Sequence, residues 1–266
     1  MRQYMTSFFG LEDKINESIG YLKQYEPPEG YYMCFSGGKD SVVLHDLTVK
    51  AGVKFDAHHN NTTVEPPELM RFIIKNYPDV TLERAPITMA QLIVARKIPP
   101  LRHARYCCYY LKERFGKNRI KITGIRAEES ARRAKRPLFE ENRRKKNDYF
   151  LNPILHWTEA EIWQYIRENN LPYCELYDRG RKRVGCVLCP FQNGKNVERD
   201  LADFPAIADY YRRACRKSYE VNKKFLDTWK SGDEMFDWWI SRLKKPEIVE
   251  DCNLIPLFSK DDGFIM

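Results

Sequence analysis

The sequence predicts an α/β fold in which a parallel sheet carries helices on both faces, with a helical extension toward the C-terminus. Three observations lead there. Short apolar runs rich in Val, Ile, Tyr and Phe alternate with stretches of helical periodicity, the pattern of strands joined by crossover helices. The first such run enters a turn with two adjacent glycines and then a helix, as a strand–loop–helix unit does. Beyond residue 192 the strand signals cease, and Tyr, Trp and Arg accumulate at helical spacing.

Each element has its own signal. Leu11, Ile15, Ile19 and Leu22 recur at helical spacing and predict an opening amphipathic helix, ended by Pro27, Pro28 and Gly30. YYMCF, from Tyr31, reads as a buried strand. Val42, Val43, Leu44 and Leu47 form the buried side of a helix ending near Gly52. VKFDAHH from Val53 and VTLER from Val80 are further strands, with a helix opened by Pro66 and Pro67 between them. The stretch from Ile87 to Phe115 is expected to be mostly helical, broken at Pro99-Pro100. RIKITGI from Arg119 and FLNPIL from Phe150 complete the strands. At Trp157-Thr158-Glu159-Ala160-Glu161-Ile162, Thr158 and Glu161 can form a capping box while Trp157 staples onto Ile162. The rest is expected to be helical to near Lys245. The expected organisation is an N-terminal helix over 1–27, a nucleotide-binding domain over 28–192 and a helical extension over 193–266.

Composition excludes several classes. With 43% hydrophobic residues, 14 Phe, 16 Tyr and 5 Trp among 266, the chain can bury a core and is not disordered throughout. No run of about 18 apolar residues exists to span a membrane, and MRQYMTSFFGLEDK has no apolar stretch of signal-peptide length. A cytoplasmic protein without membrane partners is expected. The balance of 45 Lys and Arg against 37 Asp and Glu, a net +8, favours polyanionic partners.

The glycine turn is Ser36-Gly37-Gly38-Lys39-Asp40-Ser41. Its glycines let backbone N–H groups approach phosphate oxygens, and the following helix adds its positive dipole end. Lys39 adds a point charge, and Ser36 and Ser41 add hydroxyls. Asp40 can hold Mg²⁺ indirectly or cap the helix. The spacing is not that of a Walker A loop.

This hexapeptide resembles the PP-loop of the ATP pyrophosphatase and PAPS reductase superfamily, the adenine nucleotide alpha hydrolases. TGIRAEESARR is similar to a second family segment, carried here by Gly124, Arg126, Glu129, Ser130 and Arg133. The block from Asn152 to Pro190, with its Trp157-Thr158 start, Leu176-Tyr177-Asp178 and Cys186-x-x-Cys189, resembles the reductase branch. The resemblance covers roughly residues 28 to 192. It implies a Rossmann-like sheet that binds an adenine nucleotide at the C-terminal strand edge. Ser36, Gly37, Gly38, Lys39, Asp40, Ser41, Gly124, Arg126, Glu129, Ser130 and Arg133 would bind the nucleotide, with Lys39, Asp40 and Arg126 also catalytic. Arg126 and Arg133 can form forks onto phosphate or sulfate oxygens.

Eight cysteines in a reducing compartment do not make a disulfide framework. Cys107-Cys108 and Cys186-x-x-Cys189 supply four thiolates, enough for a 4Fe–4S cluster or a tetrahedral Zn²⁺. Adjacent cysteines reach one small ion only with strain, whereas a cuboidal cluster offers separate corners. The arrangement also resembles the cluster motif of APS reductases, which favours iron–sulfur over zinc. Cys34, Cys174, Cys215 and Cys252 are expected to be structural, as are His58, His59 and the tryptophans Trp163, Trp229, Trp238 and Trp239.

The resemblance implies an ATP-using sulfur enzyme that adenylates an acceptor and installs sulfur on it. A tRNA or DNA acceptor and a cysteine desulfurase-like donor fit that chemistry. The alternative is thiol-dependent reduction of APS or PAPS with a thioredoxin-like reductant. Against it, the closing DCNLIPLFSKDDGFIM lacks the Glu-Cys-Gly-Ile/Leu-His segment of such reductases, although Cys252 lies near that place. A third reading is a metal-stabilised nucleotide or nucleic-acid binding module without catalysis.

Overall fold

A computed structural model of the chain describes residues 10–142, 147–223 and 228–244. Cys252 and the basic run Arg143 to Lys146 therefore lie outside the described residues. Helix α1 (Leu11–Gln24) is followed by strand β1 (Tyr31–Cys34), whose first three residues are buried, as expected for a central strand covered on both faces. Helix α2 (Lys39–Ala51) buries Val42, Val43, Leu44 and Leu47 and ends at Gly52 in the left-handed conformation. The same alternation continues through β2 (Phe55–Asn61), α3 (Pro67–Asn76) and β3 (Thr81–Arg84). Further on come β4 (Ile120–Ile122), β5 (Phe139–Glu141), β6 (Tyr149–Leu151) and helix α6 (Glu159–Glu168).

The strand order is β3-β2-β1-β4-β6-β5. All pairs are parallel except β5 with β6, so the sheet is mixed at one edge rather than wholly parallel. No sequence signal marks β5. Its Phe-Glu-Glu has no apolar alternation, and the strand is held by tertiary contacts instead. The Phe139 ring stacks at 4.9 Å on Tyr25 and at 5.5 Å on Tyr149.

Two helical stretches take definite bounds. The stretch from Ile87 to Phe115 resolves into α4 (Met89–Arg96) and α5 (Tyr106–Leu111). Lys97 closes α4 with φ 69°, and the two prolines that follow cannot continue the ladder. The C-terminal run is three helices, α7 (Gly194–Asp203), α8 (Pro205–Asn222) and α9 (Gly232–Lys244). Phe204, non-helical at φ −129° and ψ 56° ahead of Pro205, ends α7, because a residue before proline disfavours the helical conformation.

These late helices are pinned to the body of the chain. The α8 helix packs on α4 and α9. Ser218 Oγ donates to the Lys97 carbonyl at 2.8 Å, and the fully buried Trp239 donates through Nε1 to the Pro100 carbonyl at 2.9 Å. Burial of an indole on this scale contributes about 3–5 kcal/mol against alanine. Of the other tryptophans, Trp163, Trp229 and Trp238 lie against the core, partly buried. The capping box of α6 forms as expected, Glu161 N–H donating to Thr158 and Thr158 N–H to Glu161.

The chain runs outward from β1 to β2 and β3, then returns to place β4 on the other side of β1. The C-terminal ends of β1 and β4 thus flank the point where the winding reverses, the crevice in which ligands bind in such sheets. Among the described residues no helix is long and apolar enough to cross a membrane.

Candidate functional site

The glycine turn lies at that crevice. Ser36 to Gly38 link β1 to α2, and Lys39 is the first helical residue. Gly37 has φ +73°, and a Cβ there would come within 2.7 Å of Leu69 Cδ1 and 2.8 Å of Ile73 Cδ1. Only glycine combines that backbone conformation with so close an approach of α3. Gly124, just past β4, lets the strand end abut the helix start: its Cβ would lie 3.1 Å from the Asp40 carbonyl oxygen.

Internal hydrogen bonds hold the loop. Gly38 N–H donates to Ser36 Oγ at 3.3 Å, Ser36 Oγ to Ser41 Oγ at 3.1 Å, and Ser41 Oγ to the Gly38 carbonyl at 2.8 Å. Lys39 and Arg126 converge on one carboxylate. Lys39 Nζ lies 3.3 Å from Asp40 Oδ2, and Arg126 Nε donates to Asp40 Oδ1 at 2.6 Å. Arg126 is 3% exposed and also donates from Nη1 to Glu128 Oε2 at 2.7 Å and to the Trp157 carbonyl at 3.3 Å. Burial alone would weaken its hold on the proton, but Asp40 and Glu128 keep the guanidinium above its ordinary value. Glu128 Oε2 in turn accepts Glu159 N–H at 2.6 Å, placing a negative charge at the start of α6.

The remaining residues of the second motif are arranged differently. Glu129 accepts Arg126 N–H at 3.1 Å and pairs with Arg133, and Ser130 Oγ accepts Arg133 N–H at 3.2 Å. They shape the turn that presents Arg126. The Arg133 guanidinium is therefore committed to Glu129 in this state, and only Arg126 joins Lys39 and Asp40 directly. As for Mg²⁺, Asp40 is the one loop carboxylate and already carries two cations, so the cation would depend on phosphate oxygens for most of its ligands.

The cysteines gather at a second place. Cys107 and Cys108 are on α5, and Cys186 and Cys189 lie on the segment before α7. Cys107 and Cys108 share a hydrogen bond that pushes Cys107 up and brings Cys108 down to about 6; Lys112 and Arg105 also favour the Cys108 thiolate. Cys186 and Cys189 act on Cys107 through their charge. Cys186 chiefly, together with Glu65 and Cys108, raises Lys112 against the effect of burial. Thr62 Oγ1 lies 3.3 Å from Cys186 Sγ while donating to Glu65 Oε1 at 2.6 Å. All four predicted thiols are thus neighbours within one electrostatic environment that has a cation beside it. Among the described residues, however, no three His, Cys, Asp or Glu side chains are placed to hold one metal ion. The donor set fits a thiolate-ligated centre by its chemistry, and its side chains are not closed around a point.

Among the described residues, Cys174 and Cys215 are buried, and Cys34 is half-buried. Burial pushes Cys34 to about 11 and Cys215 to about 12, and also raises Cys174. The His58 ring stacks on Tyr32 at 4.1 Å between Asp56 and Glu83. His59 donates from Nδ1 to the Phe35 carbonyl at 3.1 Å, since that carbonyl can only accept. Four residues near these sites carry no site role in the sequence pattern: Lys112, Glu128, Glu159, which lies in the capping segment, and Tyr177, which lies in the block resembling the reductase branch. The first could have been suspected as a lysine four residues after the cysteine pair. The others meet the loop only through the fold.

Comparison with known proteins agrees with this geometry. The family model described as phosphoadenosine phosphosulfate reductase domain matches residues 30–192. An uncharacterized protein of Methanocaldococcus jannaschii is 27% identical over 241 residues, covering 83% of this chain and 50% of its own length. An adenosine 5'-phosphosulfate reductase of Oceanobacillus iheyensis is 32% identical over 180 residues, covering 60% of this chain and 71% of its own. The chain thus spans only half the length of the archaeal relative. Among solved structures, Candida glabrata FMN adenylyltransferase, in complex with FMN and an ATP analogue, aligns with TM-score 0.51 and 20% identity. The alignment covers 66% of this chain and 62% of that one, a likeness of fold.

Proposed function

We propose that this chain, which belongs to the phosphoadenosine phosphosulfate reductase domain family, is an ATP-using PP-loop enzyme that activates an acceptor oxygen by adenylation and replaces it with sulfur. The observation that carries the reading is the complete Ser36–Ser41 loop at the sheet crevice, with Lys39 and Arg126 meeting on Asp40. Lys39 also lies 3.7 Å from Glu159 and Arg126 also pairs with Glu128, so both cations are held by carboxylates that an entering phosphate chain would replace as their partner. A phosphate chain entering there gains the helix N-terminus and both cations.

In the first step the acceptor oxygen attacks the α-phosphorus and pyrophosphate leaves. Lys39 neutralises charge on the departing pyrophosphate, and Arg126, fixed by Glu128 and the Trp157 carbonyl, supports the α-phosphate. Asp40 orients both cations and would help hold a magnesium ion, which would supply charge neutralisation on the phosphates. The terminal sulfur of a persulfide then displaces AMP from the acceptor, and a second thiol attacks the donor-side sulfur of the resulting disulfide, releasing the thiolated acceptor and leaving a protein disulfide. A cysteine desulfurase-like protein would deliver that sulfur, and a tRNA base or DNA backbone would be the acceptor, in keeping with the net +8 charge.

Cys107, Cys108, Cys186 and Cys189 would hold a 4Fe–4S cluster, with zinc as the lesser candidate. Such a cluster, when bound, supplies iron sites for sulfur and one-electron redox capacity. Lys112 lies close enough to Cys186 to offset the negative charge of the thiolates.

A specific observation favours a second reading, reduction of APS or PAPS to sulfite: relatives named adenosine 5'-phosphosulfate reductase share the matched region. One paired assay separates the two. ATP with RNA and DNA acceptors should yield pyrophosphate faster than PAPS or APS with thioredoxin yields sulfite. Sulfite release that depends on Cys252, tested with Cys252→Ser, would make the reductase the better description.

A further inference from the structure

The hydroxyl of Tyr177 rests on the glycine loop. Lys39 N–H, at the start of the 13-residue α2, donates to Tyr177 Oη at 3.0 Å. The same oxygen would lie 3.3 Å from a Cβ placed on Gly38. This backbone N–H is one of the donors a phosphate cradle offers, and here it is spent on a side chain that is 138 residues away in sequence.

Two features show what the hydroxyl is suited for. First, its own proton has no acceptor among the described residues, so Tyr177 takes one hydrogen bond from the loop and has one left to give. Burial favours the protonated phenol, which keeps that donor in place at neutral pH. Second, the ring is fixed. It meets the Trp163 ring edge-on at 5.1 Å. Tyr177 N–H donates to the Cys174 carbonyl at 3.0 Å, and Gly180 N–H donates to the Tyr177 carbonyl at 2.8 Å. Lys39 Nζ lies 5.8 Å from the ring centroid. A side chain so anchored does not readily swing away to free the N–H. The economical arrangement is a relay: Lys39 N–H to Tyr177 Oη, and Tyr177 O–H to the ligand.

We infer that Tyr177 is a nucleotide-binding residue outside the glycine loop, its hydroxyl accepting Lys39 N–H while donating its proton to an oxygen of the bound phosphate chain. This rests on the proposal that the loop binds phosphate. It assigns the neutral O–H donor of the site to the segment that leads to Cys186 and Cys189.

The test uses the whole chain and calorimetric titration with ATP and with adenosine, which lacks phosphates. Tyr177→Phe keeps the ring and removes only the hydroxyl. It should weaken ATP binding about tenfold, the loss expected for one hydrogen bond to a charged oxygen, and leave adenosine binding unchanged. In the wild-type chain, the Tyr177 ¹³Cζ resonance should shift on addition of ATP and stay put on addition of adenosine. Lys39→Ala serves as the control for the loop. If Lys39→Ala loses ATP affinity while Tyr177→Phe binds ATP as tightly as wild type or tighter, Tyr177 is a spectator or competitor and the inference is wrong, although the loop assignment stands. Equal weakening of ATP and adenosine by Tyr177→Phe would mark a packing role and overturn it too. Failure of wild type to bind ATP, APS or PAPS would overturn both.

Discussion

The glycine loop and the cysteine cluster sit in the same chain and are built in opposite ways. At the loop, the polypeptide satisfies itself. Ser36, Ser41 and the Gly38 backbone hydrogen-bond one another, and Lys39 and Arg126 both find Asp40. At the cysteines, the hydrogen bond with Cys108 and the charges of Cys186 and Cys189 help raise Cys107, yet the four thiols are not placed around one ion. The difference teaches that the two sites answer to different partners. The loop is organised by the fold and would need a nucleotide only for function. The cysteine cluster brings together groups that resist ionising together, so a cation or cluster there would contribute folding free energy as well as chemistry.

The sharpest way to break that contrast is at the cysteines. Cys107→Ser, Cys108→Ser, Cys186→Ser and Cys189→Ser, each purified without oxygen, should lose most of the bound iron and its visible absorbance. Each should also lower the melting temperature by roughly 5–10 °C, the shift that about 2–3 kcal/mol gives in a chain of this size. If only Cys186→Ser and Cys189→Ser show these losses, the adjacent pair on α5 is not part of the centre. Zinc without iron in the wild-type protein would replace the cluster with a single-ion site.

On the loop side, the fold itself is what a substitution should damage. Gly37→Ala forces a side chain into a left-handed backbone conformation and within 2.7 Å of Leu69. Strain and overpacking together should cost about 2–4 kcal/mol, measured by urea unfolding with iron content unchanged. A loss below about 0.5 kcal/mol would mean that α3 gives way easily, and the loop would not be as preformed as its hydrogen bonds suggest.

A gentler change at the same place should affect binding alone. Lys39→Ala should weaken ATP binding by about 1.5–3 kcal/mol, the usual size of a charge-assisted contact, and leave the melting temperature within a few degrees. Calorimetry with ATP and with PAPS checks it. Unchanged affinity for both would remove the phosphate role from the loop.

The contrast also explains what could be read from the sequence. The Ser36–Ser41 loop was legible because its glycines, hydroxyls and following apolar helix face are contiguous, and their meaning does not depend on distant partners. The Thr158–Glu161 box was legible for the same reason. Strand β5 was not, because Phe139 owes its place to Tyr25 and Tyr149 from other elements. The helical character expected after residue 192 holds, but its division at Phe204 comes from the restriction that Pro205 places on its predecessor, which outweighs helical periodicity. Within the site, the second motif named Arg126 and Arg133 alike. Only the fold shows that Arg126 reaches Asp40 whereas Arg133 is taken up by Glu129. Tyr177 and Lys39 meet across 138 residues, a distance no local pattern encodes.

The smallest expected effect tests whether the start of α6, beside the loop, carries its own charge dependence. Glu161 accepts Lys14 Nζ at 2.7 Å and Thr158 N–H at 2.7 Å. Burial alone would raise its carboxyl, but the hydrogen bonds from Lys14 and Thr158 outweigh it and hold Glu161 below its ordinary 4.5. A depressed carboxyl pKa contributes stability that is fully present above about 4.5 and fades as pH falls through the lower folded value. Glu161→Gln keeps the amide oxygen needed for the capping box and removes the charge. At pH 7 it should cost under about 1 kcal/mol, since the pair is only partly withdrawn from water. As the pH is lowered from 7 toward 3, the melting temperatures of wild type and variant should converge, because protonated Glu161 then resembles glutamine in charge. A difference that stays constant over that range would mean that Glu161 titrates as it does in the unfolded chain, and that the Lys14 contact adds geometry to the start of α6 without adding charge-dependent stability.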